Sequence, residues 1–338
     1  MTSADIQVQP SPAFVDWKPA PGLRNRHVQS LLASVKLRRP LARRRARAAL
    51  EVAEDWILDA GDGRKLHGVY SPQKDPGAPL AVLVHGWEGC ADSLYMLSLS
   101  GYLYARGWQL FRLHLRDHGP SHHLNPELFH ANRLDEVVEA LKDLQARVEV
   151  PHWDMVGFSL GGNFTLRTAL AAPEAGLKLR RAIAVSPVLE PIHTLYALEE
   201  GLALYRAYFR KKWLRSVRKK AACHPGSVDV EAFVRRHTLT AMTEHFVAEH
   251  TPYDDAETYF ADYAVTGDRL ARLKVPTTLL MAEDDPVIPA QDLVRVHANP
   301  CLKVVRTRYG GHCGFIEDYR LNAWVDRFVA ETLKQEGA

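Results

Sequence analysis

The run Val156-Gly157-Phe158-Ser159-Leu160-Gly161-Gly162 sets a serine between two glycines at G-x-S-x-G spacing. With an apolar run before it and a helical pattern after it, this is the arrangement of a nucleophile for acyl transfer. The turn is so tight that a Cβ at Gly157 or Gly161 would clash, and it pushes the Ser159 hydroxyl out toward substrate. A free hydroxyl is a weak nucleophile at neutral pH, so a base and an orienting acid must follow it, in the chain order serine, acid, histidine. Both are present. The apolar run Thr277 to Met281 leads into Ala282-Glu283-Asp284-Asp285-Pro286-Val287-Ile288-Pro289, which puts three carboxylates at its end. Asp285, which makes a D-x-x-x-P arrangement with Pro289, is preferred over Asp284 and Glu283, although an aspartate before proline also suits a turn. Tyr309-Gly310-Gly311-His312-Cys313-Gly314-Phe315 supplies the base: of sixteen histidines, His312 alone joins the right chain order to a glycine-rich loop after a late strand.

Attack on an ester carbonyl develops negative charge on the substrate oxygen, and two amides are expected to meet it. They are those of Leu160 and of Trp87, the latter in Leu83-Val84-His85-Gly86-Trp87-Glu88-Gly89. The expected course is attack by Ser159, proton transfer to His312, and hydrolysis of the acyl-enzyme by water, with Asp285 ionised throughout. An alcohol could resolve the same acyl-enzyme and a thioester could form it, so acyltransferase and thioesterase chemistry stand as alternatives. A small-molecule receptor that binds without turnover is the alternative from outside enzymology.

These residues need a sheet to hold them. Short apolar runs at Leu80–Val84, Trp108–Leu113, Asp154–Gly157, Ala182–Val185, Thr277–Met281 and Lys303–Val305 read as buried parallel strands. Between them, Ser93–Arg106, Asn132–Arg147, Gly161–Ala171, Pro289–His297 and Glu317–Lys334 carry apolar residues at helical spacing. The alternation predicts an α/β fold, a doubly wound, mostly parallel sheet. It opens on an antiparallel pair, Trp56–Leu58 and Leu66–Tyr70, joined by Gly61-Asp62-Gly63. Residues 189–273 break the rhythm and are expected to form a helical cap insertion roofing the site, between core segments 54–188 and 274–338. Residues 1–53, with Pro10, Pro12, Pro19 and Pro21, read as an arm packed on the surface.

Composition bounds the rest. A hydrophobic fraction of 46% over 338 residues permits one sizeable core. Net charge is only +3, with basic residues clustered in Arg38–Arg47 and Arg206–Lys220. The favoured reading is solvated faces, with the aromatic side of the second run packed on the core and membrane-surface contact as the lesser alternative; no nucleic-acid partner is expected. The four cysteines show no metal spacing and fit a reducing compartment. With neither a signal core nor a membrane-length apolar run, cytoplasmic localisation is expected. Five histidines crowd His114–His130, but no H-x-x-x-H pair lies on a clear helix with an acidic partner, so no metal and no cofactor are expected. The partner is a small-molecule ester or acyl lipid, and oligomeric state is not legible.

With these motifs in place, the chain resembles the α/β-hydrolase superfamily over most of its length, and more narrowly its YheT-like branch of esterases. The narrower likeness rests on Leu23-Arg24-Asn25-Arg26-His27-Val28-Gln29-Ser30-Leu31, His85-Gly86-Trp87-Glu88-Gly89, Gly157 to Asn163, and the Asp285 and His312 loops. The resemblance implies the fold, the triad and hydrolysis of short- to medium-chain esters or acyl lipids. On this fold a nucleophilic serine also argues against dehalogenase and epoxide-hydrolase chemistry, which use aspartate. One turn departs from the branch: where it is Arg-Gly-rich, this chain reads Leu115-Arg116-Asp117-His118-Gly119-Pro120-Ser121, which puts substrate-side contacts in question.

Overall fold

A computed structural model describes residues 13–35 and 38–335. Pro10 and Pro12 lie outside the described residues. The strands are β1 (Ala13–Val15), β2 (Glu54–Asp59), β3 (Lys65–Ser71), β4 (Leu80–Val84), β5 (Gln109–Leu113), β6 (Trp153–Phe158), β7 (Leu179–Val185), β8 (Thr277–Ala282) and β9 (Leu302–Thr307). They form one sheet in the order β1-β9-β8-β7-β6-β4-β5-β3-β2. β2, β3 and β5 pair antiparallel, and every other pairing is parallel.

The central strands are continuous apolar runs because both of their faces are covered. Leu80, Val82 and Val84 of β4 pack with Val137, Leu141 and Phe164. Ala81 and Leu83, pointing the other way, pack with Met96, Leu99, Val325 and Val329. Strand alternation thus divides the interior between two cores. Helices α5 (Leu134–Arg147) and α6 (Leu160–Ala175) cover one face; α4 (Leu94–Tyr104) and α12 (Trp324–Lys334) cover the other. Between β7 and β8 the chain leaves the sheet for five helices, α7 (Pro191–Glu200), α8 (Ala203–Cys223), α9 (Val230–Val234), α10 (Leu239–His250) and α11 (Ala256–Tyr263). No helix among the described residues is long and apolar enough to cross a membrane.

Four expectations need correction. The described part of residues 1–53 is more than a surface arm: β1 extends the sheet beside β9, and α1 (Arg26–Leu32) packs on the His312 loop. A three-residue strand is too short to show alternation, and it exists because β9 offers it an open edge. The last helix begins at Trp324, not Glu317, because Leu321 takes φ 61° and Ile316 bridges to Ala323. Pro289–His297 contains a 3-10 segment over Ala290–Arg295 instead of an α-helix. The basic runs are also only partly solvated. Arg38 is buried and donates to the carbonyls of Leu32 and Leu321, and Lys220 is fully buried against Asp117 at 2.5 Å.

Candidate active site

Ser159 sits between β6 and α6 with φ 54° and ψ −121°, a left-handed backbone that side-chain-bearing residues rarely adopt. Its amide donates to Val185 O at 2.9 Å, and its carbonyl accepts from the Asn163 and Val188 amides. A Cβ on Gly157 would strike Gly161 O and Thr165 Oγ1, and one on Gly161 would strike the backbone of Val84 and His85. Those two positions must be glycine because β6, α6 and the end of β4 converge there. The turn leaves the Ser159 hydroxyl at the N-terminus of α6, where the unpaired amides make the local field positive.

His312 Nε2 lies 3.0 Å from Ser159 Oγ, and His312 Nδ1 lies 2.9 Å from Asp285 Oδ2. A carboxylate only accepts, so Nδ1 carries the proton and Nε2 is free to accept from the serine. Asp285 is fixed in turn, its Oδ1 accepting from the amides of Val287 (2.8 Å) and Ile288 (3.0 Å). Geometry separates the three neighbouring carboxylates. Glu283 pairs with Arg306 at 2.5 Å, Asp284 accepts from the Gly311 amide at 2.8 Å, and only Asp285 reaches the imidazole. Burial pushes Asp284 up to about 6. Burial alone would depress His312, but the Asp285 carboxylate and the neighbouring Cys313 together outweigh it and hold the imidazole well above its ordinary range.

The loop after β4 brings the expected amide donors to the same place. Gly86 lies against the serine, since a Cβ there would come within 3.0 Å of Ser159 Cβ. Gly86 N–H donates to Tyr95 Oη (3.0 Å) and Glu88 N–H to His118 Nε2 (3.0 Å). Between those two tethers, the Trp87 amide has no acceptor among the described residues, and neither has that of Leu160. The indole of Trp87 stacks on Phe209, ring centres 5.5 Å apart, so α8 helps to hold the loop.

Sequence reasoning set the histidine run aside, and it turns out to be structural carpentry for this loop. His118 donates from Nδ1 to Arg116 O at 2.6 Å, which leaves Nε2 to accept the Glu88 amide. His114 Nε2 accepts from Ala91 N–H at 2.8 Å, so its Nδ1 proton goes to His67 Nδ1, and His67 Nε2–H reaches Asp55 at 2.9 Å. Burial depresses His118 to about 4 and keeps it a neutral acceptor. Among the described residues, no group of three or more His, Cys, Asp or Glu is arranged to hold a metal ion. Arg116, in the turn that departs from the YheT-like pattern, is buried in a paired contact with Glu136 (3.0 and 2.6 Å), so that turn is anchored to α5. Its neighbours Asp117 and His118 line a cavity that Ser159 also lines.

Sequence reasoning also missed Gln29 and Ser30. Gln29 is fully buried; its Nε2 donates to Leu23 O (2.6 Å) and Ile316 O (2.9 Å), and its Oε1 accepts from Ile316 N–H (2.6 Å). Ser30 Oγ accepts from the His312 amide at 2.9 Å. Gly311, with φ 52°, has no room for a Cβ because α1 lies directly on it. Both residues stand inside the Leu23–Leu31 motif, but nothing in its spacing tells which long-range partner they serve.

A doubly wound sheet whose serine turn follows β6 and whose histidine loop follows β9 has the architecture of an esterase- or lipase-like hydrolase. A family model described as alpha/beta hydrolase fold matches residues 79–319, and the chain belongs to that family. It is similar to a monoacylglycerol lipase of Saccharomyces cerevisiae, 22% identical over 289 residues, covering 81% of this chain and 64% of that protein. The chain thus spans a little under two thirds of that relative's length. It is also similar to the embryogenesis-associated protein EMB8 of Picea glauca, 23% identical over 338 residues, covering 93% of this chain and 71% of that protein. Among solved structures, the Pyrococcus furiosus esterase Pf2001 aligns with TM-score 0.55 at 15% identity, covering 83% of this chain and 92% of that one.

Proposed function

We propose that the chain hydrolyses carboxylic esters of short- to medium-chain acyl groups through an acyl-enzyme on Ser159. The observation that carries the reading is the unbroken line from Ser159 Oγ to His312 to Asp285, at 3.0 and 2.9 Å. That line opens onto a mainly apolar cavity with Leu160, Phe246 and Tyr263 on its walls. Ser159 Oγ attacks the carbonyl carbon as its proton passes to His312 Nε2, and the amides of Trp87 and Leu160 receive the oxyanion. The bond to the alcohol oxygen then breaks, and His312 returns the proton to it. Water, deprotonated by His312, attacks the acyl-enzyme, releasing the carboxylic acid and the serine. The yeast relative's name supports an acyl ester as substrate; the chain matches only part of that protein, and the alcohol half is not carried over. Residues 189–273 act in this reading as a cap over the acyl cavity, to which Trp213, Phe246 and Phe260 contribute. Four free cysteines are in keeping with a reducing compartment, and we place the protein in the cytoplasm.

A fluorophosphonate probe should label Ser159, and Ser159→Ala should lower kcat on a nitrophenyl ester by about 10⁶, as expected when such a triad acts as one unit. Undiminished turnover by the alanine variant overturns the proposal.

A further inference from the structure

Two large cavities meet at Ser159, and their chemistry differs. The first is the apolar one just described. The second carries Arg39, Lys212, Arg215 and Lys219, and of the two it is the one that His312 lines. This asymmetry bears on the reaction, on the reading that Ser159 attacks an ester. The proton taken by His312 must be handed to the departing alcohol oxygen, so the alcohol half leaves on the His312 side. We propose that the second cavity binds the alcohol half of the ester, and that this half carries a phosphate held by Lys212, Arg215 and Lys219.

The charge balance of the cavity points the same way. Lys212, Arg215 and Lys219 recur at three- and four-residue spacing along α8 and so share one face of it. None of the three has a carboxylate partner among the described residues, whereas the acidic groups around them are already neutralised. Asp92 accepts from Arg39 and Arg43 at 3.0 Å each, and Asp117 is paired with the buried Lys220 at 2.5 Å. Burial pushes Glu88 up to about 8, leaving it uncharged at neutrality. His118 and His122 are depressed to about 4 and about 3, first by burial, and add no charge. Three cations without an ion-pair partner among the described residues therefore line the cavity that Ser159 and His312 also line. Lys212 is held there by donating to Glu88 O at 2.8 Å, one residue from the Trp87 amide. Phosphate matches this set because guanidinium and ammonium groups together can satisfy several of its oxygens. A smaller space also touches His312, but Leu31, Leu204, Phe209 and Val287 line it and no lysine or arginine does. It suits a neutral alcohol and stands as the competing exit.

The test compares the full-length protein on two soluble, monomeric substrates, the hexanoyl esters of glycerol and of glycerol 3-phosphate. The phosphorylated ester should show the higher kcat/KM, and high salt should erode that preference. In Arg215→Gln/Lys219→Gln the ratio of the two kcat/KM values should fall about ten- to a hundredfold, as expected for loss of charge-assisted hydrogen bonds. A preference for the neutral ester, or an unchanged ratio in the variant, overturns the proposal. So does loss of binding to anionic vesicles with the soluble-substrate ratio intact, which assigns the cations to a membrane surface. Calorimetric binding of glycerol 3-phosphate reads the cavity without turnover, so the anion site is judged separately from the Ser159 chemistry. Tight binding lost in the variant supports the site even if wild type cleaves no ester, and no binding by wild type overturns it.

Discussion

Gln29→Leu is the sharpest probe of how the chain's first segment serves the site. Gln29 lies some 280 residues from the loop it holds, at 0% exposure, with Leu23 O, Ile316 O and Ile316 N–H as its three partners. Leucine fills nearly the same volume and strands all three. A buried backbone group without a partner costs about 1–3 kcal/mol, so even the low end gives about 3 kcal/mol, partly offset by the more apolar side chain. In a chain of this length that corresponds to a fall in Tm of roughly 5 °C. Activity should suffer beyond stability, because Ile316 is four residues past His312 and the neighbouring Ser30 holds the His312 amide. Displacing a catalytic group by about 1 Å can cost on the order of 10² in rate. Thermal unfolding and nitrophenyl-ester kinetics well below Tm read the two effects separately. Gln29→Glu keeps the shape and removes the donors, so it should be at least as damaging. A wild-type Tm and wild-type kcat in both variants would refute the reasoning, because shape alone would then suffice.

The neighbouring carboxylates should separate by function: Asp285→Asn should lower kcat by about 10⁴ on a nitrophenyl ester, as expected when the imidazole is held in the wrong tautomer. Asp284→Asn should stay within several-fold of wild type, because an amide oxygen can still accept the Gly311 N–H; equal losses would show that the acid has been misassigned. Ester hydrolysis should fall as pH drops through the raised pKa of His312, so the acid limb of kcat/KM should titrate above 6.5. A limb well below 6.5 would mean that Asp285 does not govern the base. Stability should also fall on acidification, but at lower pH. His118 is depressed to about 4 when folded, so the unfolded chain binds the extra proton first, and acidification from 6.5 to 4 should cost roughly 3 kcal/mol from this residue alone. Urea midpoints at graded pH measure it, and His118→Gln, which keeps an acceptor for Glu88 N–H, should flatten the slope.

What the sequence revealed and what it hid divide by the range of the interactions. Central strands such as β4, a fully buried Leu-Ala-Val-Leu-Val, are legible because burial on both faces leaves a local apolar signature. The serine turn is legible because Gly157 and Gly161 answer to steric demands only a few residues away. The choice of Asp285 over Asp284 rested on Pro289, and in the structure the distinction comes from which carboxylate meets His312 and which meets the Gly311 amide. Neither contact leaves a trace in spacing. β1 and Gln29 were missed for the same reason, since both take their meaning from residues nearly three hundred positions away. The histidine run could be set aside as a metal site but given no role, because a histidine accepting one amide and donating to one carbonyl has no periodicity at all.

That run also sets the order in which the protein should fail on acidification. The imidazole of His312 is held high by Asp285, so its charged form pairs with that carboxylate; the pair's contribution to stability is in full below pH 6.5 and is lost as pH rises through the raised value. The supporting imidazoles are held low by burial, and they stabilise the fold only while neutral. A falling pH therefore meets the base first and the carpentry second. Between the two titrations the protein should be folded, with His312 charged and unable to accept the Ser159 proton, and return to higher pH should restore activity at once. Only when His118 takes a proton does the Glu88 amide lose its acceptor, and with it the tether that aims the Trp87 N–H. Inactivation that is irreversible from its onset would mean that the two sets of histidines are not separated in this way.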